Sequence, residues 1–107
     1  MAYRVQLTSE CLDELDGRWE WFRDHVSVEH AARFYRAART AAAKLADMPS
    51  GRPLCLDKAV QGRGLREEYF GAGGKRTHRL IFRVVGQEVE VVTVRSFAQD
   101  DLTPADL

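Results

Sequence analysis

The sequence predicts an α+β domain in which a helical hairpin packs on one face of a largely antiparallel sheet, in the order strand, helix, helix, strand, strand, strand. Three observations carry this. Two early stretches repeat apolar residues at steps of three and four, the spacing of one helix face. Three later stretches, LREEYF, THRLIFRVV and EVEVVTVRSF, are rich in β-branched and aromatic residues. The turns between them are short and contain glycine, so the strands follow one another as a meander. A chain of 107 residues suits one domain, placed at 1–107, with a single modest core expected.

Tyr3-Arg4-Val5-Gln6-Leu7 alternates apolar and polar side chains and reads as a short first strand. Thr8 or Ser9 supplies the N-cap of the helix that follows. Its apolar stripe is Leu12, Leu15, Trp19, Phe22 and Val26, with acids gathered in the first turns where the helix dipole favours them. Ser27 breaks the pattern and caps a second helix from about Val28 to Asp47, whose inner stripe is Ala31, Tyr35, Ala38, Ala42 and Leu45 with Phe34 beside it. Bulky residues on one helix facing alanines on the other predict an antiparallel hairpin joined near Ser27, with Trp19 in the core. Pro49, Gly51 and Pro53 stop the helix. The connection holding Leu54, Cys55, Leu56 and Val60 is long enough either to pack across the core or to move freely.

In the middle strand of the meander a period of two puts His78, Leu80, Phe82 and Val84 on one face and Arg79, Ile81, Arg83 and Val85 on the other. One face builds a core, and the other is expected to present cations. Gly71-Ala72-Gly73-Gly74 and Gly86-Gln87 make the two hairpin turns. The GAGGKR loop is not a phosphate-binding P-loop: Tyr69 stands where the first glycine is required, Arg76 follows Lys75, and a strand rather than a helix comes next.

Net charge is zero, with 16 basic and 16 acidic residues, which argues against indiscriminate coating of nucleic acid. The distribution is uneven. Acids dominate 8–26, bases dominate 58–83, and acids return after residue 84, so anionic partners are expected to prefer one side. No apolar run approaches the roughly 18 to 20 residues of a membrane span, and MAYRVQLTSE lacks the apolar region of a signal peptide. A cytoplasmic protein with no membrane contact is expected. Cys11 and Cys55 belong to no paired ligand motif and His25, His30 and His78 are scattered, so no metal and no cofactor is expected.

Several local signatures go together. They are Tyr3-Arg4-Val5 with Leu7-Thr8, Trp19-Glu20-Trp21, Ala31-Ala32-Arg33-Phe34, Leu45-Ala46-Asp47-Met48-Pro49, Leu65-Arg66-Glu67, Arg79-Leu80-Ile81-Phe82 and Val94-Arg95. With the order of elements, they make the chain resemble the RelE/ParE superfamily of bacterial toxins over nearly its whole length. The resemblance implies the toxic half of a type II toxin–antitoxin system, neutralised by a cognate antitoxin and associated with growth inhibition and plasmid stabilisation. RelE-like members cleave messenger RNA on the ribosome, which needs a base, an acid and cations at the phosphate. ParE-like members inhibit DNA gyrase without cleaving nucleic acid. A third reading, from another class, is a degenerate member that keeps the fold and acts as a non-toxic interaction module.

As the nuclease reading has it, Arg79 matches the family's central-strand arginine, with Arg66, Arg83 and His78 as companions. On that reading Arg79→Ala reduces cleavage by orders of magnitude and leaves the fold intact. Lys75, Arg76 and Arg95 are candidates for contact with the target or with nucleic acid. Trp21 lies two residues from Trp19, so a helix cannot bury both on one stripe, and Trp21 becomes the candidate for a partner interface. The tail departs from the RNA-cleaving pattern. Ser96-Phe97-Ala98-Gln99 is followed by Asp100 and Asp101, carboxylates that repel an RNA backbone at close range.

Overall fold

The computed structural model describes residues 2–99 and 101–107, so Asp100 lies outside the described residues and Asp101 is exposed. Its elements follow the expected order: β1 (Arg4–Leu7), α1 (Ser9–His25), α2 (Val28–Lys44), β2 (Arg66–Phe70), β3 (His78–Val85) and β4 (Glu88–Ser96). The sheet order is β1-β4-β3-β2. Successive strands β2, β3 and β4 pair antiparallel, while β1 pairs parallel with the first half of β4, from Arg4 opposite Glu88 to Leu7 opposite Val91.

Both helices are capped by the hydroxyls that the sequence offers. The Thr8 side chain accepts from the Cys11 N–H, and the Ser27 side chain accepts from the His30 N–H. The buried stripe of α1 is Cys11 and Leu15, with Phe22 packed against the core. Expected core members depart from this: Val26 is exposed, and Trp19 is half-buried beside Ala32 and Tyr35 of α2 with Arg23 stacked over its ring. On α2, Phe34 is central to the core and Tyr35 lies at its margin. α2 ends at Lys44, sooner than expected.

β1 ends at Leu7, so β4 has no strand neighbour on that side beyond Val91. The α1 end of the chain takes over. The Thr8 N–H donates to the Val91 carbonyl, the Thr8 hydroxyl to that of Val92, and Arg18 Nη2 to that of Val94. Polar groups thus close an edge that would otherwise be open to other strands. A bulge lies opposite Ile81 and Phe82, which pair with Thr93 and Val91. The extra residue resets the alternation, so Val91 and Val94 both face the helices, Val92 faces away, and the Thr93 hydroxyl reaches the Glu14 carboxylate at 2.8 Å.

The face pattern expected for β3 is observed, but the second face is not an open array of cations. His78, Leu80 and Phe82 meet the helical hairpin. Ile81 joins a second apolar cluster with Cys55, Val60, Leu65, Val92 and Leu102. The connection after α2 packs across the sheet rather than moving freely, and the C-terminal tail joins it. Pairing explains why: the Cys55 N–H donates to the Leu65 carbonyl and the Glu67 N–H to that of Pro53, which lays the connection along the outer edge of β2.

Two glycines answer to local demands. Gly86, at φ 61°, takes the left-handed turn joining β3 to β4. Gly71 has an extended backbone, but a Cβ there would sit 1.6 Å from the Lys75 carbonyl oxygen and 2.8 Å from Thr77 Oγ1. Gly71→Ala should therefore lower stability by about 2 kcal/mol or more in urea unfolding. Gly17→Ala, where a Cβ meets nothing within 4 Å, should be neutral or stabilising.

Candidate functional site

Arg79 enters the sheet on the face covered by the connection and the tail. Tyr69 is its register partner on β2, and Glu67 lies two residues along on the same face. Arg79 is 8% exposed, and its guanidinium is held on two sides. Its Nη1 and Nη2 donate to the two carboxylate oxygens of Asp57 at 3.0 and 2.6 Å, and Nη1 also donates to Glu67 at 2.7 Å. Asp57 in turn accepts from the Leu102 backbone N–H at 2.7 Å, which docks the tail on the connection. Hydrogen bonds from Arg79, opposed by burial, hold the Asp57 carboxyl below its usual range, and the same bonds push the guanidinium further toward its charged form. This arrangement is a brace between three segments, built from the strongest hydrogen-bonding pair in the protein's repertoire.

The other cations named from the sequence do not converge on Arg79. Arg66 is opposite Phe82 in register, so it points to the helix face, and its Nη1 donates to the Arg52 carbonyl at 2.7 Å. Arg83 lies on the Arg79 face but beyond the bulge, where it is exposed and paired with Glu90 at 2.6 Å. Arg95, half-buried, reaches Asp106 in the tail at 3.7 Å. Lys75 and Arg76 stand at the hairpin tip, with Arg76 over the Tyr69 ring.

His78 points the opposite way from Arg79, into an aromatic group formed by Phe22, Phe34 and Phe70. Its Nδ1 is 2.8 Å from the Thr77 hydroxyl. Burial, and then the nearby charge of Arg18, push its pKa down to about 4. The ring is therefore neutral at physiological pH. Two clefts of about 530 and 520 Å³ meet at Phe22, His78 and Ser96. The first continues to Glu14, Arg18 and Trp21, and the second to Lys75, Arg76 and Phe97. Trp21 is 53% exposed, stacked flat on His25 with ring centroids 4.4 Å apart. Phe97 is exposed as well and leans on Tyr69. Among the described residues no group of three or more His, Cys, Asp or Glu is placed to hold a metal ion.

The family model described as "ParE toxin of type II toxin-antitoxin system, parDE" matches residues 5–101. The chain belongs to the ParE toxin family. No curated protein matches it by sequence. Among solved structures, this ParE-family chain is similar to one of the chromosomal ParDE toxin–antitoxin system from P. aeruginosa. The TM-score is 0.71 at 15% identity, covering 89% of this chain and 96% of that one. It is also similar to a chain of the RelBE2 toxin–antitoxin complex from Mycobacterium tuberculosis, with a TM-score of 0.58 at 17% identity and coverage of 92% and 95%. At these identities the likeness is one of fold. The ParE-family chain is the toxin component of a type II system, and no helix among its described residues is long and apolar enough to cross a membrane.

Sequence reasoning singled out Arg79 and Trp21 but not Asp57. A lone aspartate in an irregular connection carries no periodic signal, and only the fold brings it to β3. Two predictions follow from the geometry. Removing the guanidinium leaves the buried Glu67 and the partly buried Asp57 without their counter-charge, so Arg79→Ala should lose about 3–5 kcal/mol in denaturant unfolding. Wild-type stability in that variant would show that the brace carries no weight. For His78, the unfolded imidazole takes up its proton near 6.5 and the folded one only near 4. The contribution of the neutral ring is complete above 6.5 and is lost as pH falls through 4, on the order of 3 kcal/mol across the window. His78→Phe should flatten the stability–pH curve between those values while leaving the steeper carboxylate-driven loss below them.

Proposed function

We propose that this ParE-family toxin is held inactive by a cognate antitoxin and, once released, arrests growth by binding DNA gyrase rather than by cutting messenger RNA. One observation carries the reading: the strand arginine that RNA cleavage would need at the phosphate is occupied by Asp57 and Glu67 beneath a covering tail. A cation already neutralised by two carboxylates has little charge left for a phosphorane-like transition state. His78 adds support, because a buried ring with a pKa near 4 is a poor proton donor at neutral pH. Arg66 and Arg83 lie too far out of register to replace either group. Inhibition by binding asks for none of this chemistry.

The antitoxin reading rests on the family and on the two solved relatives, one from a ParDE system and one from a RelBE2 complex. On this chain, exposed Trp21 at the mouth of the 530 Å³ cleft supplies an aromatic anchor of the kind that dominates protein interfaces. Controlled induction in a bacterial host, with pulse labelling of DNA and protein synthesis over the first minutes, tests the target. DNA synthesis should fall first, and the purified protein should inhibit gyrase supercoiling. Early loss of protein synthesis with cleaved messenger RNA would replace gyrase with the ribosome, and soluble protein with no effect on growth would overturn the toxic reading.

A further inference from the structure

The sheet has an edge that α1 does not reach. β2 is the outermost strand, and the connection covers only its first half through Cys55 and Pro53. The Leu65 carbonyl and the Glu67 N–H point outward to those partners, whereas the Phe70 carbonyl points inward to the Thr77 N–H. Strand geometry therefore turns the Tyr69 N–H and C=O outward, with the Glu67 C=O, and no described group bonds them.

This stretch of edge forms one wall of a groove of about 460 Å³ whose other wall is α2. Arg33, Arg36 and Lys44 line it from the helix and Arg76 from the hairpin. None of these four forms an ion pair with a described residue. The acid in the groove, Glu68, is already paired with Arg52 at 2.9 Å. In a chain of zero net charge this is a concentrated excess of cations. Gly71, Gly73 and Gly74 floor one end and present no side chains there, which leaves room for a second backbone.

We infer that this groove takes an extended acidic segment of the antitoxin, which adds to the sheet as a strand beside Tyr69 while its carboxylates meet Arg33, Arg36, Lys44 and Arg76. The inference rests on the antitoxin reading above. Charge alone would equally attract a phosphate backbone. The edge decides between them: Tyr69 offers a donor and an acceptor in the plane of the sheet, and a peptide backbone satisfies both whereas a phosphate satisfies only the donor.

The test uses the full chain and a fluorescent synthetic peptide of about six to eight residues, the length of an ordinary strand, alternating Glu with Val and Thr. Controls are the same peptide with Lys for Glu and a single-stranded DNA oligomer of matched charge. The acidic peptide should bind, slow amide exchange at Tyr69, and lose about tenfold or more in affinity in the doubly substituted Arg33→Glu, Arg36→Glu chain. Both substitutions fall on exposed positions of α2, so circular dichroism should show the fold unchanged. No acidic-peptide binding, tighter binding of the DNA oligomer, or binding without Tyr69 protection overturns the inference. These results are separable from failure of the toxin reading, which is seen in growth and not in peptide affinity.

Discussion

The ion-paired cluster of Arg79, Asp57 and Glu67 is the constraint on which the second face of the sheet depends. A guanidinium at this depth is tolerable only when its charge and its N–H groups are matched, and here both carboxylates come from other segments. Glu67 belongs to the neighbouring strand, but Asp57 has to be delivered by a connection with no regular structure around it. Once Asp57 is in place, its second oxygen accepts the Leu102 N–H, and Leu102 completes the apolar cluster over Ile81 and Val92. Burial of that cluster excludes water from the ion pairs, which strengthens them in turn. Charge pairing and apolar packing on this face are therefore one structure rather than two.

That coupling explains why the fold was legible in the sequence and the candidate site was only half so. Helix caps at Thr8 and Ser27, the alternation of β3 and the hairpin at Gly86 are local features, decided by neighbours within four residues. The role of Arg79 is set by residues 12 and 22 positions away, and an arginine at an alternating strand position looks the same whether it faces solvent or a buried aspartate. The half-buried Trp19 has another cause. Its spacing puts it on one stripe with Leu15 and Phe22, but the buried contact runs through Cys11, Leu15, Ala38 and Ala42, small and medium side chains that allow close approach. The bulge in β4 left no trace at all, because Val91, Val92, Thr93 and Val94 offer equally good strand residues in any register.

The candidate surfaces divide along the same lines. The helix face of the sheet ends in an aromatic cleft around His78 with Trp21 at its mouth, while the groove between α2 and the β2 edge is lined by Arg33, Arg36, Lys44 and Arg76. An antitoxin that used both would span the molecule from α1 to the outer strand. Apolar anchoring at one end and charge at the other would give affinity and orientation through different physical terms, and a partner lacking either would bind less well.

The parallel pairing of β1 with β4 has a consequence in time as well as in space. Thr8 bonds to Val92, 84 positions further along, so the first strand has no neighbour until β4 has been made. The helical hairpin forms from local contacts and can wait, but the sheet cannot close around it until β4 has joined. Until β4 is in place the chain has its helices but not the sheet faces that this strand completes. The surface that a neutralising partner would meet is thus among the last parts of the fold to form.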